Sequence, residues 1–199
     1  YLNILGEEKF GLLMIFLNII TFVVFGIAWF SGGLVRVLGE YWSNKNITKF
    51  NETLILGKYI FTSYSIIVSI IAIIIFYILK SVDFFNNIDI STIIIISAYF
   101  ILTYEALPER QAFVGANWQA LGNSIELTKV FVFALLTVYF LPIFKSIDIV
   151  FISLMIGVLI QRIITGLYLK IQLNFSGWGK FSGSMKPNIL VGDFIFVSK

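Results

Sequence analysis

The chain has 199 residues, of which 59% are hydrophobic and only 13% are charged, and its mean hydropathy is +0.96. A soluble domain usually carries about a quarter charged residues, so much of this surface must meet lipid. The chain contains no cysteine and no histidine. This excludes disulfides and thiolate metal sites and removes the usual general base. The net charge of +3 is small, and we expect no metal, no cofactor and no nucleic-acid partner.

Five apolar segments are long enough to cross a bilayer, which takes about 20 mostly apolar residues in a helix. In chain order they cover residues 10–30, 59–79, 90–107, 127–144 and 149–169. Pro108 predicts the end of the third segment, and the short link at 145–148 predicts a tight hairpin between the last two. We therefore expect an all-α polytopic membrane protein with about five transmembrane helices.

The positions of lysine and arginine predict the orientation, because cytoplasmic loops carry an excess of these residues. Three regions on one side hold Arg36, Lys45, Lys49, Lys58, Arg110, Lys129, Lys170, Lys180, Lys186 and Lys199, against Lys9, Lys80 and Lys145 on the other. We expect residues 1–9 outside and the C-terminal tail in the cytoplasm of a multi-pass protein of the inner (plasma) membrane. Trp29, Tyr41, Trp42 and Tyr59 fit an aromatic belt.

Residues 5–12 read LGEEKFGL, where a glycine and an acidic pair predict a turn before a long helix. Gly26, Gly32 and Gly33 are small residues that allow close helix contact, and Arg36 and the pair at 40–41 follow them. With the later stretch ERQAFVGANWQALGNSIELT (109–128), this order resembles lipid-linked oligosaccharide flippases of the multidrug/oligosaccharidyl-lipid exporter superfamily. The resemblance covers residues 2–172 and implies part of a MATE-like N-terminal lobe with one helix missing in front.

The resemblance implies transport of a polyprenyl-diphosphate-linked glycan across the lipid bilayer. The anionic head group needs cations, and Arg162 is the first candidate, because an ionisable residue inside a span usually faces the protein interior or a wet cavity. Alternatively, Arg162 snorkels or pairs with a carboxylate. Arg36 would attract the diphosphate or anchor a helix end. Glu105 would pair with Arg110, take part in ion coupling or lie at the interface.

Residues 180–199 read KFSGSMKPNILVGDFIFVSK and closely resemble the first conserved box of bacterial signal peptidase I. The resemblance implies a nucleophile at Ser184 and an oxyanion donor at Ser182. The general-base lysine that this family carries further downstream is missing, and about 27 residues after the last helix cannot bury a core. We therefore expect 173–199 to be an inactive signal peptidase-like fragment, with a possible short strand at 194–197.

The sequence is consistent with three functions. The favoured one is a flippase-like exporter of lipid-linked oligosaccharide or polysaccharide precursors, as an incomplete fragment. The alternative is a signal peptidase I-related serine protease with a multi-helix anchor. The third is a non-catalytic interaction protein of the membrane.

Overall fold

The computed structural model describes residues 1–79 and 88–173, and every regular element in these ranges is a helix. In chain order the helices are α1 (Leu2–Leu5), α2 (Glu7–Ser43), α3 (Ile47–Leu79), α4 (Ile90–Gly115), α5 (Gln119–Phe144) and α6 (Ile147–Leu173). The described part of the chain is therefore all-α, as predicted. The strand expected at 194–197 lies outside it.

Long apolar helices dominate the described residues. In these ranges α3, α4, α5 and α6 are each long and apolar enough to cross a membrane. Helix α2 bends by 47° between Val23 and Phe25 and adds a fifth span if its two halves count as one. Large apolar side chains such as Phe22, Val138 and Ile171 are mostly exposed, which suits a surface that meets lipid rather than water. These features support a multi-pass membrane protein.

The helices extend well beyond the predicted apolar segments. The prediction that Pro108 ends its helix is wrong, because α4 continues through this residue to Gly115. A proline inside a membrane helix is tolerated when neighbouring helices stabilise the freed backbone, and Pro108 is fully buried against α3, where it approaches Gly57. Residues 42–58, which lie between the first two predicted apolar segments, are also mostly helical, because α2 ends at Ser43 and α3 begins at Ile47.

Two predicted turns are present. Gly6 has a φ of +79° and separates α1 from α2, a conformation that glycine adopts without steric cost. Glu7 and Glu8 occupy the first turn of α2, where acidic side chains interact favourably with the helix dipole. Helices α5 and α6 form the predicted hairpin, with Lys145 in the left-handed region between them.

Contacts between the helix ends agree with the predicted order of spans. At one end of the bundle, Lys9 Nζ donates a hydrogen bond to the carbonyl of Lys145 at 3.1 Å, which joins the start of α2 to the α5–α6 turn. At the other end, Asn51 Nδ2 donates to the carbonyl of Leu173 at 3.1 Å, which joins the start of α3 to the end of α6. Each of these two contacts therefore joins regions that were predicted to share a side.

Glycines allow close helix contact at some of the predicted positions. A Cβ at Gly26 would lie 2.8 Å from the hydroxyl of Tyr64 on α3, and this hydroxyl donates to the carbonyl of Val23 at 2.9 Å. At Gly32 a Cβ would have no neighbour within 4 Å in residues 1–79 and 88–173, so within this part of the chain the glycine does not make the predicted close contact. Helices α2 and α4 also approach closely at Gly115, where a Cβ would lie 2.9 Å from Leu38 Cβ and 3.0 Å from the carbonyl oxygen of Val35.

Candidate functional site

Polar side chains from α2 to α6 form four separate hydrogen-bonded or ion-paired groups among the described residues, and together we call them the polar layer. It consists of Ser31, Lys58, Glu105, Glu109, Arg110, Gln111, Glu126, Lys129, Gln161 and Arg162. Helix α4 supplies four of these residues. Because residues four apart lie on one helix face, Glu105 and Glu109 are stacked one turn from each other. Gln111 connects the layer to α2, since its Nε2 donates to Ser31 Oγ at 2.6 Å.

Lys58 and Glu109 form a buried ion pair between α3 and α4. Lys58 Nζ lies 2.5 Å from Glu109 Oε1, and the two side chains are 2% and 4% exposed. Burying either charge alone would be costly, so each requires the other. Both residues lie just outside the predicted apolar segments 59–79 and 90–107. The spacing of residues in the sequence indicates that Lys58 is buried, because Lys58 lies on the same face of α3 as the buried side chains of Phe50, Leu54 and Phe61.

Glu105 and Arg162 form a second ion pair, between α4 and α6. Arg162 Nη1 donates to Glu105 Oε2 at 2.8 Å, and Nη2 donates to Oε1, which gives a two-pronged contact. The arginine side chain is 27% exposed and the glutamate 11%. Arg162 thus pairs with a carboxylate, which was one of its predicted alternatives. Arg110, the partner expected for Glu105, has a half-exposed side chain and lies 3.9 Å from Glu126.

Glu126 connects α5 to its two neighbours. It accepts a hydrogen bond from Lys129 on its own helix and one from Gln161 Nε2 on α6 at 2.8 Å, and it faces Arg110 on α4. The close approach of α5 and α6 depends on Gly157, where a Cβ would lie 2.9 Å from the carbonyl oxygen of Lys129. The polar side chains of α5 and α6 can therefore meet across a short distance.

Arg36 lies outside the polar layer. It is an exposed residue of α2, more than one turn beyond Ser31, and among the described residues it has no carboxylate within ion-pair distance. The structure therefore brings Arg162 and Glu105 together but does not bring Arg36 to them. An exposed arginine near a helix end fits the predicted role of an orientation anchor.

The described helices form a small cleft within the polar layer and a larger apolar groove elsewhere in the bundle. The small cleft lies between α4, α5 and α6 and is lined by Ala106, Glu109, Arg110, Phe113, Gly122, Ile125, Gln161, Arg162 and Thr165. The larger apolar groove of about 370 Å³ lies between α2, α3 and α4, with Phe16, Val68, Ser69, Phe76 and Phe100 among its lining residues. The bundle thus combines a charged region with a separate apolar groove.

The aromatic residues predicted to form a belt have different environments. Trp29 and Tyr59 are exposed, as expected for side chains at a membrane interface. Tyr41 lies under Lys49, whose Nζ is 5.7 Å from the ring centre. Trp42 is instead half-buried against the core, with its ring centre 4.8 Å from that of Trp118, so Trp42 stabilises the contact between helix ends.

The predicted protease residues Ser182 and Ser184 lie outside the described residues. Within residues 1–79 and 88–173, the acidic side chains form no group of three that could hold a metal ion. No family model, curated protein or solved structure matches the chain.

Proposed function

We propose that the described helices are part of a transporter that moves a lipid-linked glycan precursor across the membrane, in the manner of a flippase. The observation that carries the proposal is the polar layer, because ionisable groups are costly within membrane spans and commonly mark the path of a substrate or an ion. The layer contains four cations (Lys58, Arg110, Lys129 and Arg162) and three anions (Glu105, Glu109 and Glu126). The excess of one positive charge suits an anionic head group.

Arg162 is the residue we propose to contact the diphosphate of this lipid. Its guanidinium already holds a carboxylate through two hydrogen bonds, and the same planar fork fits two oxygens of a phosphate. Arg162 could therefore exchange Glu105 for the diphosphate without losing a charged partner. Arg110 is half exposed and loosely paired, so it would add a second positive charge for the diphosphate.

The apolar groove offers a place for the hydrocarbon part of such a lipid. It is lined almost entirely by Ile, Val and Phe side chains from three helices, and it lies beside α4, which also carries the charged residues. Under this proposal the protein is a multi-pass protein of the inner (plasma) membrane, with the end that holds Lys45 facing the cytoplasm. Arg36 would attract the anionic lipid near that end.

The proposal is tested by the effect of undecaprenyl diphosphate on the thermal unfolding of the purified protein in detergent. A ligand present at 100 times its dissociation constant stabilises a protein by about 2.7 kcal/mol. We expect a clear stabilisation of the wild type and of the control Lys45→Gln, in which an exposed turn residue is changed. We expect little or none in Arg162→Gln, and a partial effect in Arg162→Lys, which keeps the charge without the fork.

The uncharged alcohol undecaprenol controls for binding of the hydrocarbon chain alone. Equal stabilisation by the alcohol and the diphosphate would contradict the proposed role of the polar layer. Equal stabilisation of the wild type and Arg162→Gln by the diphosphate would show that Arg162 does not contact the diphosphate. No stabilisation of the wild type would contradict the proposed substrate class.

A further inference from the structure

One carboxylate oxygen of Glu109 receives no hydrogen bond from the described residues. Oε1 is held by Lys58 at 2.5 Å. Oε2 is also buried, but among the described residues no donor reaches it. Buried polar atoms are normally satisfied by the protein or by an ordered water, and a charged oxygen is especially costly to leave unpaired. Glu109 therefore requires a further hydrogen-bond donor.

The small cleft in the polar layer provides room for such a donor. Glu109 lines it, together with Gln161, Arg162 and Thr165 from α6. The volume in which the centre of a water molecule can lie is about 10 Å³. This volume is close to the minimum that a cavity needs to hold one water. A sugar ring or a phosphate is much too large for this space, so the diphosphate that we propose for Arg162 would lie outside the cleft.

The charges around the cleft favour a neutral occupant. Lys58 faces Glu109 from α3, and Glu105 faces Arg162 across α4 and α6, so these four charges balance. Arg110 on the rim is half exposed and faces Glu126. A metal cation would be repelled by the two arginines that line the cleft, and an anion would be repelled by Glu109. A water molecule is neutral and can both donate and accept hydrogen bonds.

We propose that the cleft is a binding site for one water molecule, which donates a hydrogen bond to Glu109 Oε2 and bridges α4 to α6. Gln161 supplies the second contact. Its Nε2 is used by Glu126, so its Oε1 is the atom left to accept the other hydrogen of the water. The Thr165 hydroxyl donates to the water oxygen. Three hydrogen bonds are the usual number for a buried water.

Radiolytic labelling with mass spectrometry tests this site in the full chain, because hydroxyl radicals form from bound water and oxidise the side chains next to it. Phe113 lines the cleft although its exposure is only 1%. Phe61 is equally buried but packs against Phe30, on α2. We expect Phe113 to be oxidised several-fold faster than Phe61 in the wild type. Equal and low labelling of both rings would overturn the proposal.

Substitutions at Thr165 connect the labelling to the proposed contacts. Thr165→Val keeps the shape of the side chain and removes the hydroxyl, so oxidation of Phe113 is expected to fall towards that of Phe61. Thr165→Ser keeps the hydroxyl and is expected to retain the faster oxidation. Unchanged labelling of Phe61 in both variants would show that the fold is intact. With the fold intact, unchanged labelling of Phe113 in Thr165→Val would contradict the bridge.

Discussion

Replacing Lys58 by methionine would leave the carboxylate of Glu109 buried without its cation. Both side chains are almost completely buried, and their charged atoms are 2.5 Å apart. Breaking a buried pair by removing one partner typically costs about 3–5 kcal/mol, because the remaining charge is uncompensated. At about 1.4 kcal/mol for each factor of ten, we expect Lys58→Met to lower the ratio of folded to unfolded protein by a hundredfold or more.

Changing both partners should cost much less than changing one. Well-packed apolar replacements for a buried ion pair are often neutral or stabilising, so we expect Lys58→Met/Glu109→Met to be about as stable as the wild type. The two single variants and the double variant form a mutant cycle that isolates the coupling between the residues. Lys49→Met is the matched control, because Lys49 is an exposed lysine of the same helix, and we expect a change within about 0.5 kcal/mol.

Reversible unfolding in mixed detergent micelles, followed by tryptophan fluorescence, measures the four free energies. The chain has four tryptophans, none of which is changed in these variants. A loss of less than about 1 kcal/mol in each single variant, the value typical of exposed pairs, would contradict a buried ion pair between Lys58 and Glu109. Losses that simply add in the double variant would also contradict it, since additivity would mean that the side chains do not interact.

Three further predictions concern packing and topology. Gly115→Ala places a methyl group 2.9 Å from Leu38 Cβ and should destabilise the protein by about 1–3 kcal/mol in the same unfolding assay. Gly32→Ala, whose new methyl group would have no neighbour within 4 Å among the described residues, should have no cost. Equal losses in the two variants would contradict the packing of α2 on α4. Because the chain has no cysteine, Lys145→Cys and Lys45→Cys report on opposite ends of the bundle. A membrane-impermeant maleimide should label the first in intact cells and the second only after the membrane is opened, and labelling of both from outside would contradict the assignment of spans. Ser184→Cys should behave like Lys45→Cys if the C-terminal tail is cytoplasmic; labelling in intact cells would instead favour the protease hypothesis.

The helical class and the main turns follow from local features of the sequence. Long apolar runs with few charges predict long helices whatever their neighbours are. Gly6 predicts a turn because its conformation is restricted for other residues, and the hairpin at Lys145 follows from the short link between two apolar runs. These predictions depend on residues close together in the chain, and the structure agrees with them.

The features that the sequence did not predict depend on contacts between distant residues. Pro108 is tolerated inside α4 because of its packing against α3, which a local rule for proline does not include. Glu105 has Arg110 nearby in the chain, but its carboxylate is held by Arg162, 57 residues away. The partner was therefore decided by how α4 and α6 pack together. The ion pair of Lys58 could have been predicted from the sequence, because a lysine on an apolar helix face requires a buried anion as its partner.

The two ion pairs of α4 together fix its axial position between its neighbours. Glu105 and Glu109 are four residues apart, which is about 6 Å along the helix axis, and they bind cations on two different helices, α6 and α3. If α4 slid by one turn so that Glu109 reached Arg162, Lys58 would face Phe113. If it slid the other way so that Glu105 reached Lys58, Arg162 would face Ile101. Each displacement would leave one cation against an apolar side chain, so α3, α4 and α6 must move along the membrane normal as one unit.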